Sequence, residues 1–250
     1  MGVRNESELV SGMDWNHCPE WIGIRSQNKV MSAIETIEVH ADVPERRPRL
    51  FALIVGNNDF AGEEHDLSFA IKDAKDFAKI VKTSVSPLFE TKHIEVLTDA
   101  KKSDVVSALN SMSKKMNPED TFVFYVASHG VAHDDLYYIL TTDFDGNLSS
   151  GKGTISSIEL MEYSKTIPSL KNIYVLDTCQ SGGMGSVVSG LYDARISVLA
   201  KSLGMHILAG AKTSQDAIDN YKGNGLFTHF VLKGLQGKAD KNKDKQVFVF

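Results

Sequence analysis

Two cysteines, Cys18 and Cys179, are all that the 250 residues contain, and they stand in no paired pattern. That excludes a disulfide framework and a cysteine-based zinc site, and leaves a free thiol that persists in a reducing cytosol. No run approaches the roughly 18 consecutive apolar residues that span a bilayer. Met1 to Glu20 lacks the apolar core of a signal peptide, and after Met1-Gly2 the position where a myristoylation signal takes Ser or Thr holds Glu6. These absences point to a cytoplasmic chain with no membrane partner. A strong charge excess is missing too: the formal net charge is -5, which gives no general attraction to nucleic acid and suits a basic partner better. There is no internal repeat and no low-complexity tract.

What is present reads as α/β. A chain with 42% hydrophobic and 24% charged residues is long enough for one large soluble core. Residues 1–49 read as an appendage and linker that ends on Pro44-Glu45-Arg46-Arg47-Pro48-Arg49, and residues 50–250 as the folded domain. Leu50 to Val55 is a continuous apolar run, as in a strand buried on both faces, and it stops at Gly56-Asn57-Asn58-Asp59. Leu67, Ala70, Ile71, Ala74, Phe77, Ala78 and Val81 then recur at helical spacing, with Asp66 as the expected N-cap. Further strands are expected at His93–Leu97, Thr121–Ala127, Lys171–Thr178, His206–Ala211 and Val247–Phe250, with a small hairpin piece at Tyr137–Leu140. Helices are expected at about Ser103–Met116, Ser156–Thr166 and Leu226–Leu235. Strands alternating with helices imply a mainly parallel sheet covered on both faces.

Two of the apolar runs end on reactive side chains. Thr121 to Ala127 closes on Ser128-His129-Gly130, and Ile173 to Leu176 closes on Asp177-Thr178-Cys179-Gln180-Ser181-Gly182-Gly183. If both are parallel strands of one sheet, their carboxyl ends share the edge where open α/β sheets build their sites. A thiol beside an imidazole gives up its proton to become a nucleophile, and the imidazole later protonates the leaving group. Blander readings stand beside this one. A lone cysteine is commonly a buried structural residue, a strand-end histidine is commonly satisfied locally, and His133 and His229 read as surface or structural. Asp177 is placed to bond backbone at a strand end, and Asp73 sits off the apolar stripe of its helix, as a solvated residue does.

Three imitations fail on single residues. Gly146-Asn147-Leu148-Ser149-Ser150-Gly151-Lys152 begins like a phosphate-binding loop, but Gly153 stands where Ser or Thr holds magnesium, so a nucleotide-binding protein is the weakest reading. Asp240-Lys241-Asn242-Lys243-Asp244-Lys245 begins like a calcium loop, but Lys245 replaces the needed glycine. A phosphatase-type cysteine needs an arginine six positions on, where this chain has Gly185.

Taken together, Gly56-Asn57-Asn58-Asp59, Ala70-Ile71-Lys72-Asp73-Ala74, Ser128-His129-Gly130, Leu136-Tyr137-Tyr138, Asp177-Thr178-Cys179-Gln180-Ser181-Gly182 and Gly225-Leu226-Phe227-Thr228 resemble the caspase-like cysteine peptidases. Within them the likeness is to the metacaspases and their prokaryotic relatives, over roughly Leu50 to Asp244. His129 and Cys179 are 50 positions apart, the caspase separation. The resemblance implies a three-layer sandwich whose sheet has about six strands, and endopeptidase activity from a Cys/His dyad. It assigns Cys179 as nucleophile, His129 as general acid/base, and the N–H groups of Cys179 and Gly130 as oxyanion donors. Gly130 suits that role because a residue without Cβ lets substrate approach the backbone.

Metacaspase-like members cut after Arg or Lys, and the matching acidic pocket positions are Asp73 and Asp177. No motif-matched arginine of the kind that accepts Asp is present. The family's usual glycine before the histidine is Ser128. No cofactor is required by this chemistry; calcium is possible, since some relatives bind it through several acidic residues, but no matched site supports it. The expected partner is a protein or peptide with a basic residue before the cut, within a larger signalling or defence assembly. Arg195 and Lys201, in Val187–Leu203, are expected self-cleavage points. The competing reading is a caspase-fold interaction module whose dyad is idle or awaits a partner.

Overall fold

The structure is a computed structural model, and it describes residues 47–61, 63–84, 88–133, 136–180, 205–209 and 221–240. The expected appendage, the Val187–Leu203 segment and the Val247–Phe250 strand lie outside the described residues, apart from the linker's last three residues, 47–49.

Among the described residues, seven strands form one sheet. Five of them are parallel, in the order β2 (Lys92–Thr98), β1 (Leu50–Gly56), β3 (Thr121–His133), β6 (Lys171–Gln180) and β7 (Met205–Ala209). β3 outruns β1, and its last four residues pair antiparallel with β4 (Leu136–Leu140), which in turn pairs with β5 (Thr154–Ser156). Gly130 pairs with both Ile139 and Gln180, so β4 takes over the edge of β3 that β1 has left. Among the described residues the expected sheet of about six strands includes the three-residue β5, which is too short to show a period in sequence.

Alternation along the strands feeds two separate cores, as a period of two dictates. Phe51, Leu53, Val55, Phe122, Phe124, Val126, Tyr174 and Leu176 pack on one face against α2 (Lys102–Ser113) and α3 (Ser157–Thr166). Leu50, Ala52, Ile54, Val123, Tyr125, Ala127 and Val175 pack on the other face against α1 (Ala70–Ser84) and α4 (Leu226–Lys233). The described residues therefore form a three-layer α/β/α sandwich, with a site available toward the carboxyl ends of β3 and β6, between the layers.

Local chemistry sets the boundaries. α1 begins at Ala70, four residues after the expected cap. Asp66 instead accepts the Phe60 N–H at 2.8 Å, and Asn58 of the loop after β1 accepts the Ile71 N–H at 3.0 Å. α3 starts on a capping box, in which the Ser156 hydroxyl accepts the Glu159 N–H and the Glu159 carboxylate accepts the Ser156 N–H. α4 ends at Lys233 in a π-helical turn, Gly234–Lys238. At the amino-terminal edge of the sheet the fully buried Asp120 accepts from Arg49 Nη2 at 2.6 Å and from the Arg49 backbone N–H at 2.9 Å. Burial pushes the Asp120 carboxyl up, but the guanidinium and two backbone N–H donors outweigh it and hold the group below the usual carboxylate range.

Candidate active site

Both reactive positions lie inside their strands rather than beyond them. β3 continues through His129 and Gly130 to His133, and β6 continues through Cys179 to Gln180. The two strands are adjacent and parallel, and their register pairs His129 with Cys179 and Ala127 with Asp177. Register neighbours in a sheet are about 4.8 Å apart, so 50 residues of chain close into one short backbone distance. The Cys179 side chain lies outside the described structure.

The imidazole of His129 is half-buried and has a defined tautomer. Its Nε2 lies 2.6 Å from the carbonyl oxygen of His65, in a 3-10 turn at Glu63–His65. A carbonyl only accepts, so Nε2 carries the proton, and in the neutral ring Nδ1 is the basic nitrogen. The ring of Phe60 lies 4.8 Å from the imidazole, centroid to centroid, tilted by 55°. Sequence reasoning missed His65 because a backbone carbonyl contributes here, and no side-chain motif announces one.

Ser128 is buried, donates to the Leu140 carbonyl at 2.7 Å and accepts from Asn57 Nδ2 at 3.3 Å. Asn57 Oδ1 accepts the Ala100 N–H at 2.9 Å. The hydroxyl that replaces the family's usual glycine is therefore satisfied within a network joining the ends of β1, β3 and β4.

Gly130 is required for a reason other than open access. A Cβ built there overlaps the hydroxyl of Tyr137, which is itself hydrogen-bonded to Thr178 Oγ1. Tyr137 thus bridges the residues next to His129 and Cys179 from the α2/α3 side of the sheet. Gly130→Ala is expected to destabilise the protein by about 1–3 kcal/mol through overpacking. Thermal melts should show Gly130→Ala well below wild type, and part of the loss recovered when Tyr137→Phe removes the hydroxyl; a melting temperature unchanged by Gly130→Ala contradicts the contact.

Asp73 and Asp177 do converge, at Gly225. A Cβ on Gly225 would stand 2.9 Å from Asp73 Oδ2 and 3.3 Å from Asp177 Oδ2. Asp73 is 2% exposed and lies on the buried face of α1, three residues after Ala70 and four before Phe77, which corrects both the off-stripe placement and the solvated reading; it turns toward the start of α4. Its Oδ1 accepts from Asn224 Nδ2 at 2.6 Å and its Oδ2 accepts the Gly225 N–H at 2.9 Å. Asp73 therefore caps α4 from a neighbouring helix, where an anion also meets the positive end of the helix dipole. Asp177 is half-buried and accepts from Thr228 Oγ1 in the first turn of α4. Asn224 and Thr228 were not legible as partners, since each is about 150 and 50 residues from its carboxylate.

The phosphate-loop imitation is resolved by the structure. Residues 148–150 form a 3-10 turn capped by Asn147, and Asp145 accepts from the Asn147 N–H and the Ser150 hydroxyl. A carboxylate holds that loop, and no α-helix opens from it. Residues 241–245 of the calcium-loop imitation lie outside the described residues. Among the described residues, no group of three or more His, Cys, Asp or Glu could hold a metal ion, and no helix is long and apolar enough to cross a membrane.

Comparison with known families agrees with this architecture. The model of the peptidase C14 caspase domain matches residues 49–249, and the chain belongs to that family of cysteine peptidases. A crystal structure of protein GSU0716 from Geobacter sulfurreducens superposes with a TM-score of 0.53 at 17% identity, covering 76% of this chain and 83% of that one. At that identity the likeness concerns the fold. No curated protein matches the chain.

Proposed function

We propose that the protein is a cysteine endopeptidase that cuts after Arg or Lys. The observation that carries this reading is the register of β3 and β6, which makes His129 and Cys179 cross-strand neighbours. His129 Nδ1 takes the thiol proton, the Cys179 thiolate attacks the scissile carbonyl carbon, and the N–H groups of Cys179 and Gly130 receive the oxyanion. Collapse of the tetrahedral intermediate breaks the C–N bond, His129 returns the proton to the leaving amine, and a thioester remains. Water, deprotonated by His129, attacks that thioester and releases the acid and the free thiol.

Basic specificity is supported by the two carboxylates gathered at Gly225. A buried anion favours a cationic side chain, because pairing offsets the desolvation that either charge suffers alone. Asp177, less buried than Asp73 and only two residues before Cys179, is assigned the direct contact. Asp73 supports the pocket wall through Asn224 and Gly225.

Fluorogenic peptides ending in Arg, Lys or Asp, assayed with and without calcium, test the reading. Turnover of the Arg and Lys peptides supports it. Turnover of the Asp peptide alone overturns the pocket assignment, and no turnover of any peptide favours an interaction module with an idle dyad. Arg195 and Lys201 remain the proposed self-cleavage points; identical intact masses of wild type and Cys179→Ala under activating conditions would rule them out.

A further inference from the structure

Behind Asp177 stands a pair of hydroxyls that packing alone does not explain. Tyr125, in the middle of β3, and Thr228, in the first turn of α4, are both 0% exposed. Their oxygens are 2.5 Å apart, and Thr228 Oγ1 is also bonded to Asp177 Oδ2. We propose that Tyr125 and Thr228 are positioning residues for the pocket carboxylate, a hydroxyl chain that sets the plane of Asp177 and thereby the preference for Arg over Lys. This rests on the basic-pocket reading above.

Valence fixes the direction of the chain. An ionised carboxylate only accepts, so the single proton of Thr228 points at Asp177. The Thr228 oxygen then accepts, and Tyr125 donates to it. Burial, with the nearby charge of Asp177, pushes the Tyr125 hydroxyl well above its ordinary value, so it keeps the proton it must give. The tyrosine ring is itself held: Phe77, one turn after Asp73 on α1, stacks on it at 4.3 Å and 19°. Phe at 125 and Val at 228 fill the same space without burying a polar group. The hydroxyls therefore call for a polar role, and Asp177 is where the chain ends.

Substrate choice follows from geometry. A guanidinium binds a carboxylate through two parallel N–H···O bonds and needs both oxygens in one plane, whereas an ammonium is a compact point charge that tolerates rotation of the carboxylate. Releasing Asp177 from Thr228 thus weakens Arg recognition more than Lys recognition.

The test uses the full chain as wild type, Thr228→Val, Thr228→Ser and Tyr125→Phe, with Arg and Lys peptides. Thr228→Val is expected to raise KM for the Arg peptide about tenfold, the loss of roughly one charge-assisted hydrogen bond. The expected change in kcat is less than about twofold, and that in KM for the Lys peptide less than about threefold. Thr228→Ser restores the wild-type ratio, and Tyr125→Phe moves it in the same direction by less. An Arg-to-Lys ratio unchanged in both Thr228→Val and Tyr125→Phe, or an equal fall in kcat for both peptides, overturns the proposal.

A second readout needs no turnover. In protein carrying carboxyl-labelled aspartate, with the Asp177 resonance assigned through Asp177→Asn, the titration midpoint of Asp177 should rise in Thr228→Val and return in Thr228→Ser. An unmoved midpoint removes the chain. A wild type that cuts neither basic peptide sinks the endopeptidase reading, while the titration still decides whether the chain acts on Asp177.

Discussion

Cys179→Ala is expected to lower kcat/KM for an Arg-terminated peptide at least a thousandfold. Nucleophilic catalysis splits amide hydrolysis into formation and hydrolysis of a thioester, and alanine offers no atom to form it. His129→Ala is expected to cost a similar factor, because without the imidazole neither the thiol nor the departing amine finds a proton partner. The double variant should fall little further, since the two groups act as one unit and their effects are not additive. Progress curves with the fluorogenic Arg peptide measure all three variants. More than about a tenth of wild-type activity left in Cys179→Ala would show that another residue carries the chemistry.

Asp177→Ala is expected to produce the second largest effect, and a selective one. Removing the carboxylate leaves a substrate cation desolvated without its partner, a cost of about 3–5 kcal/mol. That corresponds to a loss of 100-fold or more in kcat/KM for the Arg and Lys peptides, while a peptide with a neutral residue before the cut should change by less than about threefold. Asp73→Ala is expected to behave differently. Its oxygens hold Asn224 and the Gly225 N–H at the start of α4, so its loss should lower the melting temperature by the worth of a helix cap, about 1 kcal/mol, before it alters selectivity. Equal loss on basic and neutral peptides in Asp177→Ala would assign that residue to general architecture.

The contrast between these two aspartates shows what a sequence can and cannot carry. The strand runs were readable because residues buried on both faces of a sheet form unbroken apolar stretches, as in Leu50–Val55 and Thr121–Ala127. The cross-strand register of His129 with Cys179 was readable because two apolar runs of similar length, each leading to one of these residues, form adjacent parallel strands. The blander, solvated reading of Asp73 fails because the residue sits on the buried face of α1 between Ala70 and Phe77, and helical periodicity alone records no partner for a carboxylate there. It does not record that the start of another helix, some 150 residues later, will bring an amide and an N–H to a buried carboxylate.

The same limit applies elsewhere in the site. Gly130 looked like an opening for substrate, and its missing Cβ is also the space taken by the Tyr137 hydroxyl. Asp66 had the right residue type for a cap, but Asn58 reached the helix first, from a loop fixed by Asp99, whose Oδ1 accepts the Asn58 and Asp59 N–H groups. His65 contributes a carbonyl to the imidazole. In each case the deciding partner lies in another element or is a backbone group, and the residue order alone does not record the contact.

The most direct measurement of the central claim is the pH dependence of Cys179 alkylation, followed by peptide mass spectrometry in wild type and in His129→Ala, with Cys18 as the internal control. A thiol paired with the imidazole should react in wild type at pH values below the ordinary cysteine midpoint near 8.5, and the profile should move up in His129→Ala while that of Cys18 stays in place. Superimposable Cys179 profiles in the two proteins would contradict the pairing of this sulfur with this imidazole.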